Sequence, residues 1–504
     1  MLLIFFLVSF NYNVLRTMKD SLIVTAKGSG AEVIPFVKVW MMFPGAVLLT
    51  GIYTALSNRF SQETVFYSMM GLFLGFFTLF ITVLYPLREQ LHAHQLANWM
   101  EQHLASGWAG MIAMVRYWSF TAFYVMAELW GCIILFTLFW GFANQITSVN
   151  EAKRFYGLFG IGANFSGVAA GMCSMALIRL GAQVPLPIVA PGDRWLVLQI
   201  LVLVVSGLCT LAVYRWMNRS VLTDSRYYDP QKAVEHKRVR GSISLRESFA
   251  YLARSRYLLC IAVIVLGYNV VINLVEVVWK HQVRELYPST EDYTFYMNQV
   301  MTAIGIIATL TALFFTGNSI RRFGWTTTAM VTPVVLLVTS IFFFYFFLCK
   351  ECMLGLAAFL QGTATPMIVV FIGSMQNIVS RAAKYTVFDA TKELAFVPLS
   401  TECKIKGKAA IDGVCSRLGK SGGSVIHQFF LLVTSGSVVA SAPYIAACLF
   451  VIIGLWIVAT MTLGRRFEVL TEEQRQGLPI SLSEDEKVAK QEESAVLQEQ
   501  QAVV

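Results

Sequence analysis

"NYNVLRTMKDSLIVTA", residues 11–26, continues the apolar run "MLLIFFLVSF" of residues 1–10 without a break, yet it carries Arg16, Lys19 and Asp20. A charged side chain at the centre of a bilayer costs roughly 3 kcal/mol on insertion scales. Such charges survive where they face the interior of a helix bundle or a water-filled cavity. The segment therefore predicts a membrane helix with a polar working face.

The rest of the chain agrees with that environment. Its 504 residues are 56% hydrophobic and 14% charged, with a mean hydropathy of +0.62, far more apolar than a soluble domain of this length requires. Crossing a hydrocarbon core of roughly 30 Å takes about 20 apolar residues. About twelve such runs lie near 1–26, 33–56, 66–86, 112–145, 154–181, 194–217, 256–280, 294–316, 325–348, 352–380, 410–438 and 442–463. The first has neither a charged n-region nor a small-residue cleavage site, so it reads as a span and not as a secretory signal. The fourth and tenth are long enough to tilt or to extend beyond the membrane.

Lysine and arginine orient the bundle. Residues 215–256 hold ten of them against four acids, which predicts a cytoplasmic loop. With alternating helices, Arg59, Lys153, Arg154, Arg321, Arg322, Arg465 and Arg466 fall on the same side, and both termini are cytoplasmic. Much of the +9 net charge is then topological, and no nucleic-acid partner is needed to explain it. The nine cysteines are scattered, and the close pair Cys349 and Cys352 lacks a second pair at zinc-site spacing. His92, His94 and His103 read as solvated loop residues. No catalytic triad, metal cluster or cofactor motif is visible, which argues against an enzyme. Residues from Arg465 onward are polar and rich in Glu and Gln, as a solvated tail would be.

An internal repeat divides the chain. "YNV" occurs at 12–14 and again at 268–270, and the same shift of 256 carries Asp20 onto Glu276, Gly157 onto Gly413 and Gly167 onto Gly423. This predicts an all-α membrane protein of about twelve helices in two six-helix halves, 1–217 and 256–463, related by a parallel repeat of the major-facilitator kind. A basic cytoplasmic linker, 218–255, joins them, and 464–504 forms the polar cytoplasmic tail. In that design substrate binds near the midplane between the halves.

Residues three and four apart share a helix face. Arg16, Lys19 and Asp20 therefore cluster. Asn269, Asn273, Glu276 and Lys280 form a second stripe, and Tyr117, Thr121, Tyr124 and Glu128 a third, with Arg116 beside it. Arg16, Lys19, Lys392 and Lys420 are candidate cations; Asp20, Glu128 and Glu276 are candidate anions. A cavity with several cations suits a polyanion, because phosphate oxygens accept strong charge-assisted hydrogen bonds. Glu128, Glu276, Asp20 and Lys280 are candidates for coupling or gating, and Tyr117, Tyr124, Asn269 and Asn273 for contacts to a base or ribose. "LGKSGG" at 418–423 is not a Walker A loop, since Val414 stands where the first glycine is required. "GLFGIGANFSG" at 157–167 follows no strand, and its glycines read as helix-packing positions.

"NYNVLRTMKDSLIVTAKGSGAEVIPFVK", "FYVMAELWG", "FWGFANQIT", "EAKRFYGLFGIGAN", "YTVFDATKELAFVPL" and "KGKAAIDGVCSRLGKSGG" together resemble the ATP/ADP translocase family of intracellular bacteria and plastids, from about residue 11 to 463. The resemblance implies a twelve-helix carrier that takes ATP inward across an inner membrane in exchange for ADP, working as a monomer in the lipid bilayer. It carries over functional charges at Lys19, Glu128 and Glu276, and a late lysine that is Lys420 or Lys392. Typical exchangers of the family look like "LRDTKD" where this chain has "LRTMKD", so an acid is absent at Thr17. That departure leaves open two modes, exchange and proton-coupled net import of nucleoside triphosphates.

Overall fold

A computed structural model describes the chain except residues 148, 185–189, 224–254, 315, 350–364, 400–406, 409–410, 412–414 and 476–504. The basic segment of the linker, Cys352, Gly413 and most of the polar tail thus lie outside the described residues. Among those described, twelve long helices follow one another: α1 (Leu2–Val24), α2 (Val33–Arg59), α3 (Gln62–Leu84), α4 (Trp118–Asn144), α5 (Val149–Gln183), α6 (Pro191–Val221), α7 (Arg256–Leu286), α8 (Thr290–Phe314), α9 (Thr316–Leu348), α10 (Thr365–Ala383, continued by Lys384–Phe388 and Asp389–Ala395), α11 (Ser416–Val433) and α12 (Val438–Arg475). Nine are long and apolar enough to cross a membrane. The other three, α1 and the described parts of α10 and α11, carry Arg16 with Lys19 and Asp20, Arg381, and Arg417 with Lys420, charges that lower their hydropathy.

The helices pack as two equivalent sets. α1 rests on α4, α5 and α6, and α7 on α10, α11 and α12 in the same order; α3 meets α6 as α9 meets α12. Between the sets, α5 packs on α8 and α2 on α11, a pair of contacts that exchanges when the halves are swapped. In each half an asparagine of the first helix holds a serine of the fifth, though not at matching positions of the repeat: Asn13 Nδ2 donates to Ser166 Oγ on α5 (3.2 Å), and Asn273 Nδ2 donates to Ser424 Oγ on α11 (2.9 Å).

Small residues allow the closest approach of the halves. A Cβ on Gly305 would stand 2.8 Å from Val168 Cγ2 and 2.9 Å from the Asn164 carbonyl oxygen, and one on Gly171 would stand 2.9 Å from that of Asn298. Gly324 breaks the start of α9 at φ 79°, so the straight span begins one residue later, at the 325 expected from the sequence.

Three features differ from expectation. The run 112–145 is not one helix: Ala109–Arg116 ends at Tyr117 (φ −102°, ψ 48°), and α4 starts after it. Together with His94–His103 and Ser106–Trp108, that short helix caps the end of the bundle opposite Met1. The cap buries His92, which the sequence suggested was solvated: its Nε2 lies 2.7 Å from Ser119 Oγ, and burial lowers its pKa to about 4. Lastly, α12 continues through Arg475, beyond the Arg465 at which a solvated tail was expected.

Candidate functional site

The charges of α1 and α7 meet where the two halves face each other. Lys19 and Asp20 are consecutive, so Lys19 Nζ reaches Asp20 Oδ1 at 2.9 Å and, across to α4, Glu128 Oε1 at 3.1 Å. The second oxygen of Asp20 accepts from Lys280 Nζ at 2.7 Å. Lys280 returns one turn along α7 to Glu276 Oε1 at 2.8 Å, and the same oxygen accepts from Arg381 of α10 at 2.9 Å. A continuous ladder thus runs from Glu128 through Lys19, Asp20, Lys280 and Glu276 to Arg381, crossing from one half to the other at Asp20. Three cations balance three anions. The Lys19, Asp20 and Lys280 side chains are at most 3% exposed, and Lys19 Nζ also sits 3.8 Å from the centroid of the Tyr124 ring.

Further cations lie around the ladder without joining it. Among the described residues, Arg16, Lys38 and Lys420 have no carboxylate within salt-bridge distance. Arg16 lies one turn before Asp20 and lines a small cavity with Asp20, Glu276, Asn377 and Arg381. Lys38 stands in a π-helical turn of α2, Val37–Met41, and donates across the interface to Asn273 Oδ1 at 2.7 Å. Lys420 is exposed on α11, and its charge and that of Lys38 both act on Glu128.

Several candidates from the sequence fall elsewhere. Tyr117 belongs to the cap, where its hydroxyl donates to the Lys27 carbonyl, and Arg116 pairs there with Glu101 at 2.6 Å. Lys392 sits near the far end of α10 beside Glu393 (3.3 Å), lining a different cavity with Trp325 and Thr460. Asn269 is buried with its Nδ2 donating to the Val265 carbonyl, one turn back on its own helix. Asn273 has both ends of its amide engaged. The glycines of "LGKSGG" serve packing: Cβ atoms on Gly419 and Gly423 would lie 2.7 Å and 3.1 Å from the Cβ atoms of Asn269 and Asn273.

Lys38 and Arg381 were missed, although a lone lysine inside the apolar run 33–56 is itself a signal of function. Thr17, where the acid is absent, donates its hydroxyl to Asn298 Oδ1 on α8 at 3.2 Å, a neutral link between the halves.

Residues 1–467 match the model of the TLC ATP/ADP transporter family. The chain belongs to the ATP/ADP transporter family. Relatives within it include ADP,ATP carrier protein 1 of Chlamydia pneumoniae, 45% identical over 471 residues that span 93% of this chain and 90% of the relative. ADP,ATP carrier protein 2, chloroplastic, of Arabidopsis thaliana is 41% identical over 94% of this chain and 75% of its own. Among solved structures, a bacterial homologue of the iron transporter ferroportin in an inward-facing state has the same fold, with a TM-score of 0.57 at 14% identity, covering 92% of this chain and 97% of that one. This ATP/ADP transporter is therefore a multi-pass membrane protein of major-facilitator-like architecture.

Proposed function

We propose that the protein exchanges external ATP for internal ADP across an inner membrane by alternating access, with both termini cytoplasmic, as a monomer, and without altering the nucleotide chemically. Both relatives described above are named as ADP,ATP carriers. The observation that carries the site is electrostatic: the ladder is balanced, so Arg16, Lys38 and Lys420 add positive charge that no carboxylate pairs among the described residues and that a polyanionic substrate would match. Phosphate oxygens would take charge-assisted hydrogen bonds from them. Tyr124, with its ring already under the Lys19 ammonium, borders the same space.

In this reading the ladder is the gate. Asp20 and Lys280 join the halves at 2.7 Å, and Thr25 and Thr290 touch at 2.7 Å nearer the capped end, where Ser106–Trp108 also lies against α11. Opening that end requires Asp20 to leave Lys280, and each retains a partner in its own half, Lys19 and Glu276. No charge is stranded by the motion. Cys349 follows the end of α9 at the capped end, and its disulfide suits an oxidising, non-cytoplasmic compartment.

The test is uptake of labelled ATP by liposomes containing the purified protein and loaded with ADP or with buffer alone. Exchange predicts uptake only against internal ADP. Uptake into empty liposomes that follows an imposed proton gradient would replace this reading with net import.

A further inference from the structure

We propose that Lys38 is a phosphate-binding residue of this site, held on Asn273 while the site is empty, so that capture of a nucleotide's phosphates breaks a bond between the two halves. The inference rests on the nucleotide-carrier reading and adds to it a residue that the polar stripes of the sequence did not include.

The geometry around Lys38 is defined on every side. Asn273 donates through Nδ2 to the Lys420 carbonyl oxygen (2.7 Å) and to Ser424 Oγ (2.9 Å). A carbonyl can only accept, so the amide orientation is fixed and Oδ1 must face Lys38. Lys38 Nζ donates to that oxygen at 2.7 Å from the opposite half. A neutral amide is a poor match for a half-buried ammonium in a membrane protein, where cations normally find a carboxylate. Asp20, Glu128 and Glu276 are already engaged in the ladder, and none lies within salt-bridge distance of Lys38. The amide is a holding partner, and a phosphate oxygen is the stronger one.

Two features of the surroundings place that phosphate. Asn273 bonds the backbone of Lys420 itself, so the Lys38 ammonium lies only one amide group away from the turn of α11 that presents the Lys420 side chain. The two lysines come from opposite halves and both charges act on Glu128, as expected of two arms of a clamp on a chain of phosphates. The second feature is the π-helical turn Val37–Met41, which replaces regular backbone bonding at Lys38. Such single turns inside α-helices recur at functional sites because they reposition one side chain.

The consequence is coupling. In the empty protein the Lys38–Asn273 bond helps keep the halves together at α2 and α11. A nucleotide that takes Lys38 from Asn273 releases this contact, so conformational change follows substrate capture.

The test measures ATP/ADP exchange kinetics in ADP-loaded liposomes for the wild type, Lys38→Met and Lys38→Arg. Lys38→Met should raise the KM for ATP by about tenfold or more, the equivalent of about 1.4 kcal/mol. It should lower the maximal rate by less, and Lys38→Arg should recover most of the loss. A KM within twofold of wild type for Lys38→Met would overturn the proposal while leaving the carrier reading intact; absence of wild-type exchange would instead overturn that reading. If Lys38→Met does not insert, amine acetylation of the wild type followed by mass spectrometry decides. ATP should protect Lys38 strongly and AMP, with one phosphate, weakly; no protection by ATP, or equal protection by AMP, refutes the role.

Discussion

Replacing Asp20 by Asn tests the ladder at its crossing point. Asp20 accepts from Lys19 at 2.9 Å and Lys280 at 2.7 Å with all three side chains almost fully buried, so the substitution removes the carboxylate from two buried pairs at once. Removing one partner of a buried pair costs about 3–5 kcal/mol because a charge is left uncompensated. Each lysine here keeps a second carboxylate, Glu128 for Lys19 and Glu276 for Lys280, so the cost belongs at the lower bound, about 3 kcal/mol. The imbalance of one positive charge can then be undone. Asp20→Asn with Lys280→Met leaves two cations facing two anions, and the double variant should recover about 0.5–3 kcal/mol relative to additivity, the range for residues in direct contact. Unfolding in mixed detergent micelles, followed by tryptophan fluorescence, gives the four free energies of the cycle. An Asp20→Asn protein as stable as wild type, or a double variant that shows no positive coupling, would refute the argument from charge balance.

Other outcomes follow from single contacts. Gly305→Val would drive a side chain into Val168 and the Asn164 carbonyl, costing about 1–3 kcal/mol, readable as a lowered Tm in detergent. Tyr124→Leu removes the ring beneath Lys19 and should cost about 1–2 kcal/mol, whereas Tyr124→Phe, which deletes a hydroxyl with no hydrogen-bond partner among the described residues, should be near neutral; a Phe variant as damaged as Leu would contradict the ring's role. His92 has its pKa lowered to about 4 by burial, while an unfolded chain takes up the proton near 6.5. The unfolded state therefore binds more protons between these values, and the His92 contribution, fully present above pH 6.5, declines as pH falls towards 4. The difference in Tm between wild type and His92→Gln should shrink over that interval.

Much of the site was legible because charge inside an apolar run is costly enough to be kept for a reason. Lys19, Asp20, Glu128, Glu276 and Lys280 all join one ladder, and helical spacing put them on the right faces. Arg381 escaped because the tenth run was ended one residue before it. Lys38 escaped because it has no polar neighbours three or four residues away. Tyr117 kept the spacing of its stripe but not the helix: the chain turns there to bury His92 against Ser119, a tertiary contact that no period reveals. Asn269 and Asn273 lie on the expected stripe with their amides already bonded within the protein, since whether an amide is free depends on the helix packed against it. The repeat was readable from few identities because glycines and asparagines at the contacts between helices tolerate little change of size.

The neutrality of the ladder has an electrical consequence. In the proposed reading, with Arg16, Lys38 and Lys420 facing the cargo, a carrier loaded with ADP³⁻ would cross the membrane without net charge, whereas one loaded with ATP⁴⁻ would carry one negative charge. The field across the membrane then acts on one leg of the cycle only, with about 2.3 kcal/mol per 100 mV for that charge. A membrane negative inside opposes the entry of ATP and leaves the return of ADP untouched, so the direction of net ATP movement is set jointly by the nucleotide gradients and the voltage.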